Sequence, residues 1–191
     1  GGNDSLLGED GNDFLDGGAG VDILIGGNDA DRIVFDASDS LIDGGFSTSS
    51  LDRDTLVVNG AGVTLDTGAL ANVSNFEVID LTGSGNNTLV LSEPEIQALS
   101  DTNTLTVYGD SGDVVTTPDA WTAAGTVTNI GVIFNKFTTG SSTLLVDSDI
   151  DSSGVVPGLG ISLSNVALGT GGFKITGENS SDYAGNSVSS A

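Results

Sequence analysis

A nine-residue period governs the start of this chain. After the opening Gly2-Asn3-Asp4-Ser5-Leu6-Leu7, units run over residues 8–16, 17–25 and 26–34, so Asp recurs at positions 4, 13, 22 and 31, and Leu or Ile at 6, 15, 24 and 33. The first six residues of a unit form a tight turn, whose glycines reach backbone angles closed to other residues. The last three form a short strand. Two units make one coil. That arrangement lays Asp4 over Asp22 and Asp13 over Asp31, and it stacks Leu6 on Leu24 and Leu15 on Ile33 inside. A flexible linker rich in Gly, Asn and Asp has no reason to hold four Asp and four aliphatic residues in unbroken register.

The chemistry of such a stack is that of a hard cation. Each vertical pair of turns offers two carboxylates and several backbone carbonyls, an oxygen cage of the kind calcium takes. Beyond residue 35 the period loosens. Residues 36–42 resemble a unit one residue short, which sets Asp39 over Asp22. Residues 52–58 resume the pattern and set Asp54 over Asp31. The alternative is that Asp39, Asp43, Asp52 and Asp54 are turn residues only. Glu9 and Asp29 stand where the pattern favours glycine, and each either distorts its turn or supplies a further ligand.

Charge supports the same reading. The chain has 191 residues, 27 of them acidic and 4 basic, for a net charge of −23, and all but 5 of the acids are Asp. Such self-repulsion destabilises a compact cation-free state. Arg32, Arg53, Lys136 and Lys174 cannot neutralise a nucleic-acid backbone, and an anionic membrane surface is disfavoured likewise. No apolar run approaches the ~20 residues of a membrane span. The chain has no His and no Cys, which removes disulfides, thiolate and imidazole metal sites, and the commonest nucleophile–base pairs. No catalytic residue is assigned, and an enzyme is not expected. The chain opens in mid-repeat with no signal peptide and reads as a segment of something longer.

The middle of the chain alternates β-forming runs with turns: residues 55–58, 63–65, 76–82, 87–91, 104–108, 114–116, 126–134 and 143–146. Ser92 and Glu95 form a capping box that opens a short helix with Ile96 and Leu99 on its apolar edge. Strands at this spacing suggest a wider, irregular β-helix, with a separate β-sandwich as the competitor. Asp110 and Asp113 read as a solvated turn in preference to a cation site. Asp147, Asp149 and Asp151 alternate, so in an extended segment they share one face as a charged edge. Residues 152–160 read as a linker.

Residues 1–35 resemble the repeats-in-toxin (RTX) family, whose motif is a calcium-binding parallel β-roll. With the register, the resemblance implies calcium ligands at Asp4, Gly8, Asp10, Gly11, Asp13, Gly17, Gly20, Asp22, Gly26, Asp29, Asp31, Asp39 and Asp54. Residues 76–113 resemble a segment found beside RTX repeats in large type I-secreted surface proteins and adhesins. Residues 172–191 resemble the opening of an FG-GAP repeat. The expected fold is all-β, a parallel β-roll or β-helix solenoid with a short helical insertion. The expected division is a β-roll over residues 1–58, an irregular continuation over 59–151, the linker over 152–160 and the FG-GAP-like segment over 161–191. The implied role is a calcium-dependent structural module, secreted to the cell surface or beyond, with copies of itself or a cell-surface glycan as partners. The alternative is a non-catalytic module of a secreted RTX hydrolase or glycan-binding protein.

Overall fold

The computed structural model describes residues 1–46, 52–66, 68–83 and 85–155. Short strands follow one another along the chain: β1 (Ser5–Asp10), β2 (Phe14–Leu15), β3 (Ile23–Asn28), β4 (Arg32–Val34), β5 (Leu41–Phe46), β6 (Thr55–Val57), β7 (Thr64–Leu65), β8 (Val73–Ser74), β9 (Val78–Asp80) and β10 (Thr88–Val90). One helix, α1 (Glu93–Leu99), precedes β11 (Thr104–Tyr108), β12 (Val114–Thr116), β13 (Thr122–Asn129), β14 (Val132–Thr139), β15 (Ser142–Asp147) and β16 (Asp151–Gly154). Strands dominate and helix is minor, as an all-β reading requires.

The nonapeptide period fixes how these strands pair. In β1 and β3, Leu6 lies beside Leu24; in β2 and β4, Leu15 lies beside Ile33; both pairings are parallel. The sequence therefore places its aliphatic residues one above another by returning to the same wall at every second unit. The walls then continue past the repeats. On one, the order is β1-β3-β5-β8. On another, parallel pairing carries the ladder Leu15, Ile33, Leu56, Ile79, Val107, Val146. A third wall, β7-β10-β12-β16, adds Leu65, Leu89 and Val115. Leu24, Ile33, Leu56, Leu65, Ile79, Leu89, Val107 and Val115 are all fully buried. The core is thus a set of aliphatic columns, and the ladder crosses residue 58 without a break.

The helix forms where its caps place it. Glu95 accepts from the Ser92 N–H at 2.5 Å, and Ile96 and Leu99 are buried. Three expectations change. The run 126–134 is not one strand: β13 and β14 form an antiparallel hairpin with Asn129 opposite Val132. Ile130 and Gly131 between them both have positive φ, 47° and 85°, the geometry of a two-residue hairpin turn. The presumed linker begins with a strand instead, since β16 pairs with β12 and Val155 is fully buried. Finally, Asp147, Asp149 and Asp151 do not share a face: the chain turns after Asp147, and the Ile150 N–H donates to the Asp147 carbonyl at 3.1 Å. The remainder of the linker and the FG-GAP-like segment lie outside the described residues. No helix of the described residues is long and apolar enough to cross a membrane.

Because the columns carry the core, truncation in one of them should be costly. Ile79→Ala should destabilise the folded chain by about 3 kcal/mol, whereas Leu7→Ala, at a side chain 62% exposed, should cost well under ~1 kcal/mol. Urea unfolding of both variants at one calcium concentration checks this.

Candidate metal centre

The turns of the repeats are joined by their aspartates. In one column, the Asp4 N–H donates to Asp22 Oδ1 at 2.7 Å and the Asp22 N–H to Asp39 Oδ1 at 3.0 Å. In a second, the Asp13 N–H donates to Asp31 Oδ1 and the Asp31 N–H to Asp54 Oδ1, each at 2.8 Å, and the Asp54 N–H to Glu77 Oε2 at 3.1 Å. Return bonds run the other way. Ile23, Arg32, Ser40, Thr55 and Val78 donate to the carbonyls of Asp4, Asp13, Asp22, Asp31 and Asp54. Asp39 and Asp54 therefore stack where the loosened repeat places them.

This bonding uses Oδ1 of Asp22, Asp31, Asp39 and Asp54 and no carboxylate oxygen of Asp4 or Asp13. Oδ2 of Asp13, Asp22, Asp31 and Asp54 is buried with no hydrogen-bond partner. A buried acceptor left unpaired is destabilising, and an anionic one more so. Glycine makes the space for these oxygens. A Cβ at Gly8 would lie 2.7 Å from Asp13 Oδ2, and Cβ atoms at Gly17 and Gly26 would collide with Asp22 Oδ2 and Asp31 Oδ2. Orphaned carboxylate oxygens set against glycine backbone in turns rich in carbonyls fit a hard, oxygen-seeking cation. No group of three or more carboxylates converges among the described residues. A cation held here would complete its shell from backbone carbonyls and water.

The remaining sequence candidates fall around these columns. Asp4 is exposed, and so is Asp10, which accepts from the Asn28 side chain at 2.7 Å. Gly11 and Gly20 have φ of 114° and 156°, and Asp29, in the same place of its unit, has 76°. Glu9 has φ 73°, matching Gly18 at 76° one unit later. Both replacements keep the left-handed backbone and leave the turn undistorted. Asp43 accepts from the Gly45 N–H at 3.1 Å and from the Asn75 side chain at 2.7 Å.

Two members of this system are not evident from the nonapeptide register. Glu77 ends the second column by offering Oε2 to Asp54, a role that Asp holds in the repeats. Asp113 is 1% exposed, not the solvated turn expected. Its Oδ1 accepts from the Asn87 N–H and its Oδ2 from the Asp110 N–H, both at 2.8 Å. A peptide N–H thus fills the place that is empty in the repeats, and Asp113 has both oxygens satisfied.

Burial sets the protonation of the columns. Desolvation pushes Asp54 up to about 7, against the lowering bond from the Asp31 N–H, and the charges of Glu77, Asp31 and Asp101 add to the rise. Desolvation likewise raises Asp31, Asp39 and Glu77.

A family profile described as the RTX calcium-binding nonapeptide repeat matches residues 1–33 in 4 copies. No curated protein and no solved structure matches the chain. The matched repeat is a calcium-binding motif, and calcium is the ion these turns are built to hold. The match ends before β5, and no FG-GAP match accompanies it.

Two measurements follow. Asp31→Asn keeps an oxygen for the Asp13 N–H but removes the charge, and should weaken calcium binding about tenfold or more by isothermal titration while the calcium-saturated fold persists. The pH dependence has a definite sign. Asp54 ionises near 3.8 in the unfolded chain and near 7 in the folded, calcium-free chain. Its contribution is therefore full below pH 3.8 and is lost as pH rises through about 7. In EGTA the chain should therefore keep more β-structure by circular dichroism at pH 5 than at pH 8. Saturating calcium, which needs the ionised carboxylate, should reverse the order.

Proposed function

We propose that this chain is a calcium-folded structural module of a secreted protein, a β-roll that continues as an irregular β-solenoid and serves as a rigid element at the cell surface. The observation that carries the reading is the row of buried, unpartnered Oδ2 atoms on Asp13, Asp22, Asp31 and Asp54, in and beside the segment that matches the RTX repeat. Without a cation, these oxygens and a net charge of −23 oppose compaction. Where calcium is scarce, the chain stays extended, a state suited to export through a narrow channel such as that of type I secretion. Outside, millimolar calcium fills sites of extracellular strength, with dissociation constants of roughly 10⁻⁴–10⁻³ M. Binding to the folded state alone then stabilises it by mass action.

The role is mechanical and not catalytic. The chain has no His or Cys to act as base or nucleophile, and Asp22, Asp31, Asp39, Asp54 and Glu77 are engaged in the turn columns. Adhesion or extracellular assembly is the wider setting in which a stiff, calcium-hardened spacer is useful.

The test is a calcium titration of EGTA-treated protein followed by circular dichroism, with magnesium as control. The expected result is a calcium-specific transition from coil to β-structure and a melting temperature that rises with calcium. An equally folded and equally stable protein in EGTA would overturn the reading.

A further inference from the structure

The chain is acidic almost everywhere, yet its described basic residues gather on one face. Arg32 and Lys136 lie on a single cross-strand row of the eight-stranded sheet, running Arg32, Thr55, Val78, Thr106, Leu145, Lys136 through matched register. The row lies on the side of the sheet away from the core residues Ile33, Leu56, Ile79, Val107 and Leu144, and of its members Thr55, Val78 and Thr106 are themselves buried. The Arg53 guanidinium joins it by donating to Thr106 Oγ1 at 2.5 Å. No acidic residue occurs between Asp119 and Asp147, the stretch that includes the β13–β14 hairpin.

The hairpin tip roofs part of this face. It encloses a groove of about 640 Å³ whose lining includes Arg32, Arg53, Asp80, Tyr108, Asn129 and Ile130. Small-molecule sites span roughly 300–1,000 Å³. Arg32 donates Nη2 to Asp80 Oδ2 at 2.9 Å, which leaves further guanidinium donors for a ligand. Tyr108 is held edge-to-face against Phe134, with ring centroids 5.0 Å apart. At the lip, Ile130 is 95% exposed and has φ 47°, a left-handed backbone that is costly for a β-branched residue. The hairpin turn accounts for that backbone, and it sets an exposed apolar side chain over the groove.

We propose that this groove binds a saccharide bearing a carboxylate. The two guanidinium groups match a planar carboxylate. Tyr108, Val78 and Ile130 give apolar surface for the faces of sugar rings. Asp80, Asn129, Thr55 and Thr82 provide acceptors and donors for hydroxyls. The Asp80 carboxylate and the charge of the whole chain repel polyanions, so a ligand must combine few charges with many hydroxyl donors. Concavity favours such a small ligand over the acidic face of a second copy.

The proposal does not rest on the calcium reading, and its test separates the two. Trigalacturonate is titrated by calorimetry into the full chain in calcium-containing buffer, with neutral galactotriose as control. The expected result is binding of the acidic sugar at least tenfold tighter than the neutral one. Arg32→Gln should weaken it at least tenfold with calcium stoichiometry unchanged, and Arg53→Gln at least tenfold in protein that circular dichroism shows to be folded. Asn129→Ala, away from the ion pairs, should weaken it by a smaller factor. Absence of binding, equal binding of the neutral sugar, or binding that the Arg variants leave intact would overturn the proposal, the last by showing that the carboxylate merely meets roll-bound calcium. Tighter binding of an Asp-rich peptide than of trigalacturonate would also overturn it, in favour of a second copy of this chain.

Discussion

The structure depends on a division of labour within the stacked carboxylates of Asp22, Asp31 and Asp54. One oxygen accepts a peptide N–H from the neighbouring coil and fixes the spacing of the stack. The other is turned into the glycine-lined turn and left without a partner. The first bond is ordinary structural hydrogen bonding. The second oxygen makes the fold conditional, since a buried anionic acceptor needs a proton or a cation before the compact state is comfortable. Short Asp suits this arrangement because both oxygens stay close to the backbone that they must serve.

Past the repeats, the chain solves the same problem by different means. The walls persist, but the loops between them lengthen: the ladder advances from Ile33 to Leu56, to Ile79, to Val107 and then to Val146. The added residues are the helix, the hairpin and longer turns. Coupling between coils passes from Asp to Glu77 and to the Asn87–Asp113 pair. At Asp113 the turn closes on its own Asp110 N–H. A segment whose turns leave acidic oxygens unpartnered thus grades into one whose acidic turn is closed by the protein itself, over one continuous aliphatic core.

The nonapeptide made the first coils legible, because its period states register, inward face and ligand column together. Asp54 over Asp31 could be read even where the spacing slipped, since Leu56 kept its place; Asp39 meets the Asp22 N–H although its inward residue, Ile42, comes one position later than in the repeats. The helix was legible from its caps. The β13–β14 hairpin was not: its turn is Ile130-Gly131, and Ile carries none of the usual preference for positive φ, so the two strands read as one run. Asp113 was hidden for a different reason. Its partner Asn87 lies far back in sequence at no fixed period, so only the assembled wall reveals that a Gly-Asp-Ser-Gly-Asp turn is buried. The β16 strand, in Ser- and Gly-rich sequence, forms because β12 offers it an edge.

The columns also have a sense of direction. In every pair the later carboxylate receives the earlier residue's N–H: Asp22 serves Asp4, Asp39 serves Asp22, Asp31 serves Asp13, Asp54 serves Asp31. Bonds of the other sense use different atoms: each earlier coil gives its peptide carbonyls, and Asn3 and Asn12 their side-chain oxygens, to N–H groups of the coil that follows. The two faces of a coil are therefore unlike, with carboxylate acceptors turned towards the chain's start and neutral carbonyl acceptors towards its end. The stack is a polar object, and its charge is carried on one side of every seam.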